Sequence, residues 1–186
     1  FKFIFFWEWF HRLWARTIGL VFAIGFVWLN MKKQFKKEIL QPLLILFFLG
    51  ALQCAIGWIM VASGLTGDAV YVKPTRLALH FIFALGLLCY TFWFALLLLV
   101  KDEQRIQNSS LRKWNLALLL LLIVQLLYGA LMAGHKAATA APTWPTINGE
   151  WVPEKLWNDQ SLFLNLVNNT VLVHFIHRGL AYLLFV

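Results

Sequence analysis

Five long apolar runs, separated by three short polar connections and one long one, organise this chain of 186 residues. The hydrocarbon core of a bilayer is crossed by about 20 apolar residues rising 1.5 Å each, and the runs at about 3–29, 40–62, 75–100, 113–134 and 168–186 meet that length. Lipid offers backbone N–H and C=O groups no hydrogen bonds, so segments of this kind fold as helices that close their bonds internally. The pattern predicts an all-α fold, a single polytopic membrane helix bundle over 1–186 with an outer loop at about 135–167. The chain opens on Phe1 and its fifth run is still apolar at Val186, which predicts continuation at both ends.

Composition agrees: 61% of residues are hydrophobic and 13% charged, with a mean hydropathy of +0.73, outside the range of soluble domains. The net charge of +8 would suggest nucleic acid in a soluble protein, but here the basic residues lie between apolar runs and report orientation instead. Lys32, Lys33, Lys36 and Lys37 mark one inner connection, and Lys101, Arg105, Arg112 and Lys113 the other. The connections holding Lys73 and Arg76, and Lys136 and Lys155, are poorer in positive charge and face outward. Cys54 and Cys89 both fall within apolar runs, which predicts buried, inert thiols. The outer loop carries Pro142, Trp144, Pro145, Asn148, Gly149, Trp151, Pro153 and Trp157. An interfacial cap with Trp at headgroup depth and a functional lid are equally compatible with it.

Against this apolar background a few ionisable side chains stand out. Glu8 and His11 lie three residues apart in a helix and so share a face, with Arg12 directly after them. An ionisable group in the hydrocarbon costs about 2.5–3.5 kcal/mol on insertion scales, so each is a functional candidate. With the orientation above, the first, third and fifth spans run from outside to inside, and each carries a histidine near its outer end: His11, His80 and His177. Their positions put all three at roughly 8–14 Å below the outer surface. A lone histidine there serves as often to bond two helices together, but three at one depth favour axial ligation of heme iron, which takes one histidine from each of two facing helices. His11 and His80 form one pair; His177 belongs to a second site.

The chain also repeats itself: shifted by 166 residues, Glu8-Trp9-Phe10-His11-Arg12 falls on His174-Phe175-Ile176-His177-Arg178. Equivalent sites around a pseudo-two-fold axis are common in membrane proteins built from repeats. Because His174 stands where Glu8 would be, the repeat predicts one reactive site with a carboxylate and one electron-transfer site. Arg12, Arg16, Arg76 and Arg178 are candidates to pair heme propionates bidentately, with interfacial snorkelling an equal reading for Arg76.

These residues resemble the heme A synthase family. The resemblance is carried by Phe5-Phe6-Trp7-Glu8-Trp9-Phe10-His11-Arg12-Leu13-Trp14-Ala15-Arg16, by Leu52-Gln53-Cys54-Ala55-Ile56-Gly57 and its continuation to Gly64-Leu65, by Arg76-Leu77-Ala78-Leu79-His80, by Thr143-Trp144-Pro145, and by Phe175-Ile176-His177-Arg178-Gly179-Leu180-Ala181-Tyr182. It implies an eight-helix fold in two pseudo-symmetric four-helix halves, of which this chain corresponds to the second through sixth helices. It also implies an oxidoreductase that converts heme O to heme A for cytochrome oxidase by oxidising a methyl substituent to a formyl group. In that scheme His11 and His80 flank the substrate heme O, Glu8 is the catalytic carboxylate, and His177 ligates a resident heme b opposite a histidine on the eighth helix. Heme O synthase is a candidate partner, the electron donor is unassigned, and the location is the bacterial inner membrane, with the mitochondrial inner membrane as alternative. A five-helix piece of such a bundle is expected to be unstable or to self-associate. The sequence departs from common family patterns at Gly134-His135-Lys136-Ala137, where many members are acidic, and lacks paired loop cysteines.

Two rival classes use the same residues. A diheme b-type, quinol-linked electron-transfer subunit needs the histidines but no lone carboxylate, so Glu8 discriminates. A transporter without cofactor would use Glu8 and the histidines as a proton relay and would show no Soret band.

Overall fold

The computed structural model describes residues 2–64, 71–101, 103, 108–154 and 156–185; Leu65, Arg105, Lys155 and Val186 lie outside them. The described residues form helices α1 (Lys2–Met31), α2 (Lys37–Ala62), α3 (Pro74–Leu99), α4 (Ser109–His135), α5 (Leu162–Asn168) and α6 (Thr170–Phe185), with a 3-10 turn at Ala137–Thr139. The protein is thus an all-helical membrane bundle. Helices α1 to α4 are long and apolar enough to cross a bilayer, and α6 is an apolar helix of 16 residues.

Local chemistry sets the helix ends. Glu38 occupies the first turn of α2, where a carboxylate complements the helix dipole. Pro74 opens α3, a position whose N–H has no helical partner in any case. Asn108 caps α4 by accepting hydrogen bonds from Ser110 N (3.0 Å) and Leu111 N (3.1 Å). Lys136 ends α4 in the left-handed conformation (φ 52°). Asn169 separates α5 from α6 and caps the latter, its Oδ1 accepting from Val171 N (3.1 Å) and Leu172 N (3.2 Å).

Helix α3 packs between α2 and α4, and α4 packs in turn on α6. Lipid is as apolar as leucine, so these contacts depend on close approach through small residues more than on expulsion of water. A buried cluster of Ala78, Ala130, Leu131 and Val173 joins the start of α3, the end of α4 and the start of α6. Gly134 lets the end of α4 meet the start of α3, since a Cβ there would stand 2.9 Å from Pro74. At the other end of α3, Tyr90 donates to the carbonyl of Pro42 on α2 (3.2 Å). Helix α1 is held mainly by α2, where Phe22 and Phe26 stack on Phe47 with ring centroids 6.3 Å apart.

The long connection after α4 folds over the end of the bundle where α4 stops and α6 begins. Asn165 is its hub: 1% exposed, it donates to the carbonyls of Asn158 (3.1 Å), Gln160 (2.9 Å) and Ser161 (3.4 Å), and accepts from Asn158 N and Asn169 Nδ2 (both 3.1 Å). Asn148 and Gly149, both at positive φ, turn a tight bend between Ile147 and Glu150. Ala137, Ala141 and Ile147 are buried beneath this cap, while Trp144, Trp151 and Trp157 point out of it.

Candidate functional site: histidines seated on glycines

His80 lies six residues beyond Pro74 and His177 seven beyond Thr170, so both imidazoles sit about two turns inside the N-terminal ends of their helices. Each ring packs on a bare stretch of a neighbouring helix. Gly57 of α2 faces His80, and a Cβ on it would stand 2.9 Å from the ring's Cε1. Gly129 of α4 faces His177 in the same way, with a Cβ 3.2 Å from Cε1. A Cβ at position 57 would force the ring of His80 to shift, and one at position 129 would crowd that of His177.

One turn before each glycine stands a glutamine. Gln53 Nε2 lies 3.1 Å from His80 Nδ1 and 3.5 Å from Nε2, and donates to the His80 carbonyl (3.1 Å). Its Oε1 is buried and finds no hydrogen-bond partner, and the same holds for Gln125 Oε1 and His177 Nδ1. Gln125, Gly129 and His177 line a cleft of about 360 Å³ between α3, α4 and α6, whose other walls include Leu77, Phe81 and Leu126. Neither glutamine was singled out from the sequence. The signal was present as a polar residue in mid-span followed four positions later by glycine, twice: Gln53-Cys54-Ala55-Ile56-Gly57 and Gln125-Leu126-Leu127-Tyr128-Gly129.

Arg178 follows His177 and turns toward the loop. Its Nη1 donates to the carbonyls of Pro145 (3.3 Å) and Thr146 (3.0 Å), and its Nη2 to the carbonyl of Thr143 (3.0 Å) and to His174 Nε2 (3.0 Å). Four of the five donors a guanidinium carries thus bind the Thr143–Thr146 strap and His174. His174, which had no role in sequence, is buried and orients this arginine. His135, also unassigned in sequence, bonds through Nε2 to the carbonyl of Val167 (2.7 Å), tying α4 to α5. Lys136 places its ammonium 3.8 Å from the centre of the Tyr71 ring. A hydrogen bond from this lysine, reinforced by its charge, holds the Tyr71 hydroxyl below the usual phenol range.

The remaining sequence candidates lie on α1 and at the head of α3. Glu8, His11 and Arg16 are exposed on α1, Arg12 is half-buried, and Arg76 is exposed at the start of α3. His11 lies within electrostatic range of His80. No contact joins Arg12, Arg16 or Arg76 to either histidine among the described residues. Cys54 and Cys89 are exposed on the helix surface rather than buried as expected, because α2 and α3 turn those faces outward from the bundle.

The residues present fit a heme. The donors are imidazoles on separate helices, each packed on a glycine of a neighbouring helix, and buried polar atoms beside them lack partners within the protein. No cluster of three or more His, Cys, Asp or Glu suited to a bare metal ion occurs among the described residues.

Fold and composition together define a polytopic helical membrane protein that carries histidines within its apolar helices. Its place within that class is given by likeness to known proteins, for the model of the family COX15-CtaA, cytochrome oxidase assembly protein, matches residues 1–186. The chain belongs to this family. It is similar to the proteins named heme A synthase of Novosphingobium aromaticivorans (44% identical over 192 residues, 98% of this chain and 53% of that protein), Rhodospirillum centenum (41% over 184 residues, 97% and 48%) and Paracoccus denitrificans (40% over 189 residues, 99% and 50%). The chain spans about half the length of the curated relatives it matches. No solved structure matches it.

Proposed function

We propose that this chain is the heme-holding part of a heme A synthase of the bacterial inner membrane, an oxidoreductase that takes heme O from heme O synthase and oxidises one of its methyl groups to a formyl group. The observation that carries the proposal is the seating of two intramembrane histidines, His80 and His177, on glycines of neighbouring helices, in a chain that belongs to the cytochrome oxidase assembly protein family.

His11 on α1 and His80 on α3 flank the substrate heme O, and their approach within electrostatic range supports that pairing. His177 holds a resident heme b, which supplies reversible one-electron chemistry at its iron. Arg12 and Arg76 face the propionates as bidentate donors, and Arg178 adds its remaining Nε–H while its other donors hold the loop over the site. Glu8 stands one turn from His11 on the same helix face. Its carboxylate takes up and releases the protons that the oxidation of a methyl group sets free. The outer loop covers the α3–α4–α6 end and limits access of water, which protects an oxidised product from side reactions.

Replacement of Glu8 by Gln tests this reading without changing the side chain's size. With a heme O source present, the variant is expected to retain heme and to lose heme A formation by about two orders of magnitude or more, the scale of a general acid–base contribution. Heme extraction and mass analysis give the outcome. Undiminished heme A from the variant would remove Glu8 from the reaction, and a parent protein that holds two hemes yet never yields heme A would be an electron carrier instead.

A further inference from the structure

The glutamine that precedes each glycine shelf is repeated at one spacing on two different helices, and the heme reading alone does not require it. On α2, Gln53 reaches the imidazole of His80 directly, with its amide nitrogen 3.1 Å from Nδ1. On α4, Gln125 and His177 line the same cleft. There the amide oxygen of Gln125 and the Nδ1 of His177 are both buried and both without a partner. Gly129 faces the Cε1–Nδ1 edge of that ring, at 3.2 and 3.8 Å from where a Cβ would stand, so Nδ1 is turned toward the helix that carries Gln125.

An imidazole that binds iron through Nε2 carries its proton on Nδ1, and that proton needs an acceptor. An unpaired amide oxygen buried one helical turn from the shelf is the complementary group. The terminal torsion of a glutamine is soft, so the unpaired amide oxygen of Gln125 can turn to the ring of His177 at little cost. We infer that Gln125 is a positioning residue, offering its amide oxygen to the Nδ1 proton of His177 and so leaving Nε2 free for iron; at His80 the amide of Gln53 is instead held by its bond to the His80 carbonyl, with its nitrogen toward the ring. Gly129 and Gln125 form one device: the first lets the ring lie against the helix, and the second fixes which nitrogen carries the proton. This rests on the heme reading above and adds a residue that orients one of its ligands.

The test uses the full-length protein with its hemes bound and compares Gln125→Leu with Gln125→Glu. The leucine variant loses the acceptor, and the ligand becomes a poorer donor to iron. The glutamate variant accepts more strongly and makes it a better one. The expected result is a midpoint potential shifted upward by leucine and downward by glutamate at the heme next to the changed residue. The electron paramagnetic resonance signal of that ferric heme shifts with it, and heme affinity of the leucine variant falls by about 10–100-fold, as for outer-sphere partners of metal-bound histidines. A purely structural glutamine would lower the folded yield of both variants without moving the potential in opposite directions. Potentials and signals identical to the parent in protein that keeps its hemes would overturn this inference and leave the heme reading standing. A parent protein that binds no heme would overturn both.

Discussion

A methyl group at position 57 or 129 would occupy space that an imidazole edge already fills. Gly57→Ala, with its Cβ 2.9 Å from His80, is expected to displace the ring and cost about 1–3 kcal/mol as overpacking, offset in part by the better helix propensity of alanine. Gly129→Ala, with 3.2 Å available, should cost less. Thermal unfolding in detergent, read together with bound heme per chain, separates the two. Equal stability and heme content in both variants would mean that the shelves are not tight. Arg178 makes a second residue-scale prediction. Its planar fork satisfies three carbonyls and one imidazole at once, a geometry that an ammonium cannot reproduce. Arg178→Lys should therefore release the Thr143–Thr146 strap, seen as faster proteolytic cleavage of the outer loop, even though the positive charge is kept. The histidines and Arg178 were conspicuous in sequence because charge and imidazole are rare in lipid. Gly57 and Gly129 were not, since glycine in an apolar span has many uses.

At the scale of elements, the junction between α5 and α6 depends on one side chain. Asn169 caps α6 through Oδ1 and binds the carbonyl of Leu156 through Nδ2 (2.9 Å), so it ties the helix start to the loop above. Asn169→Ala should cost about 1 kcal/mol from the lost cap. Hydrogen exchange at Val171 and Leu172 would report it, and unchanged protection there would show that the cap is dispensable. Helix existence and most boundaries were legible from the apolar runs, because lipid requires each spanning segment to satisfy its own backbone. The split at Asn169 was not, as Asn168-Asn169-Thr170 reads equally well as the polar start of one span. The loop was legible only as a region of turns. Its Asn165 hub is built from partners that are local in sequence but converge only through bends that no periodicity announces.

For the molecule as a whole, the unequal packing of the helices carries a prediction. Helices α3, α4 and α6 share a buried cluster, whereas α1 is held mainly through aromatic contacts of Phe22 and Phe26 with α2, far along the helix from Glu8 and His11. Few buried contacts mean a low free energy of local opening. In detergent, amides of residues 5–15 should exchange well before those of 125–133, and under the proposed pairing of His11 with His80 the difference should shrink on addition of heme O. Equal protection of the two segments without heme would contradict this. Sequence by itself determined the membrane class and the all-helical fold, since both follow from the cost of unpaired polar groups in lipid and need no knowledge of neighbours. The tertiary structure alone decided that His80 and His177 rest on glycines, that two glutamines stand beside them, and that Arg178 is engaged by the loop. These are contacts between helices, and the packing of one helix face on another depends on rotations and offsets that an apolar sequence, nearly uniform around its circumference, does not encode locally.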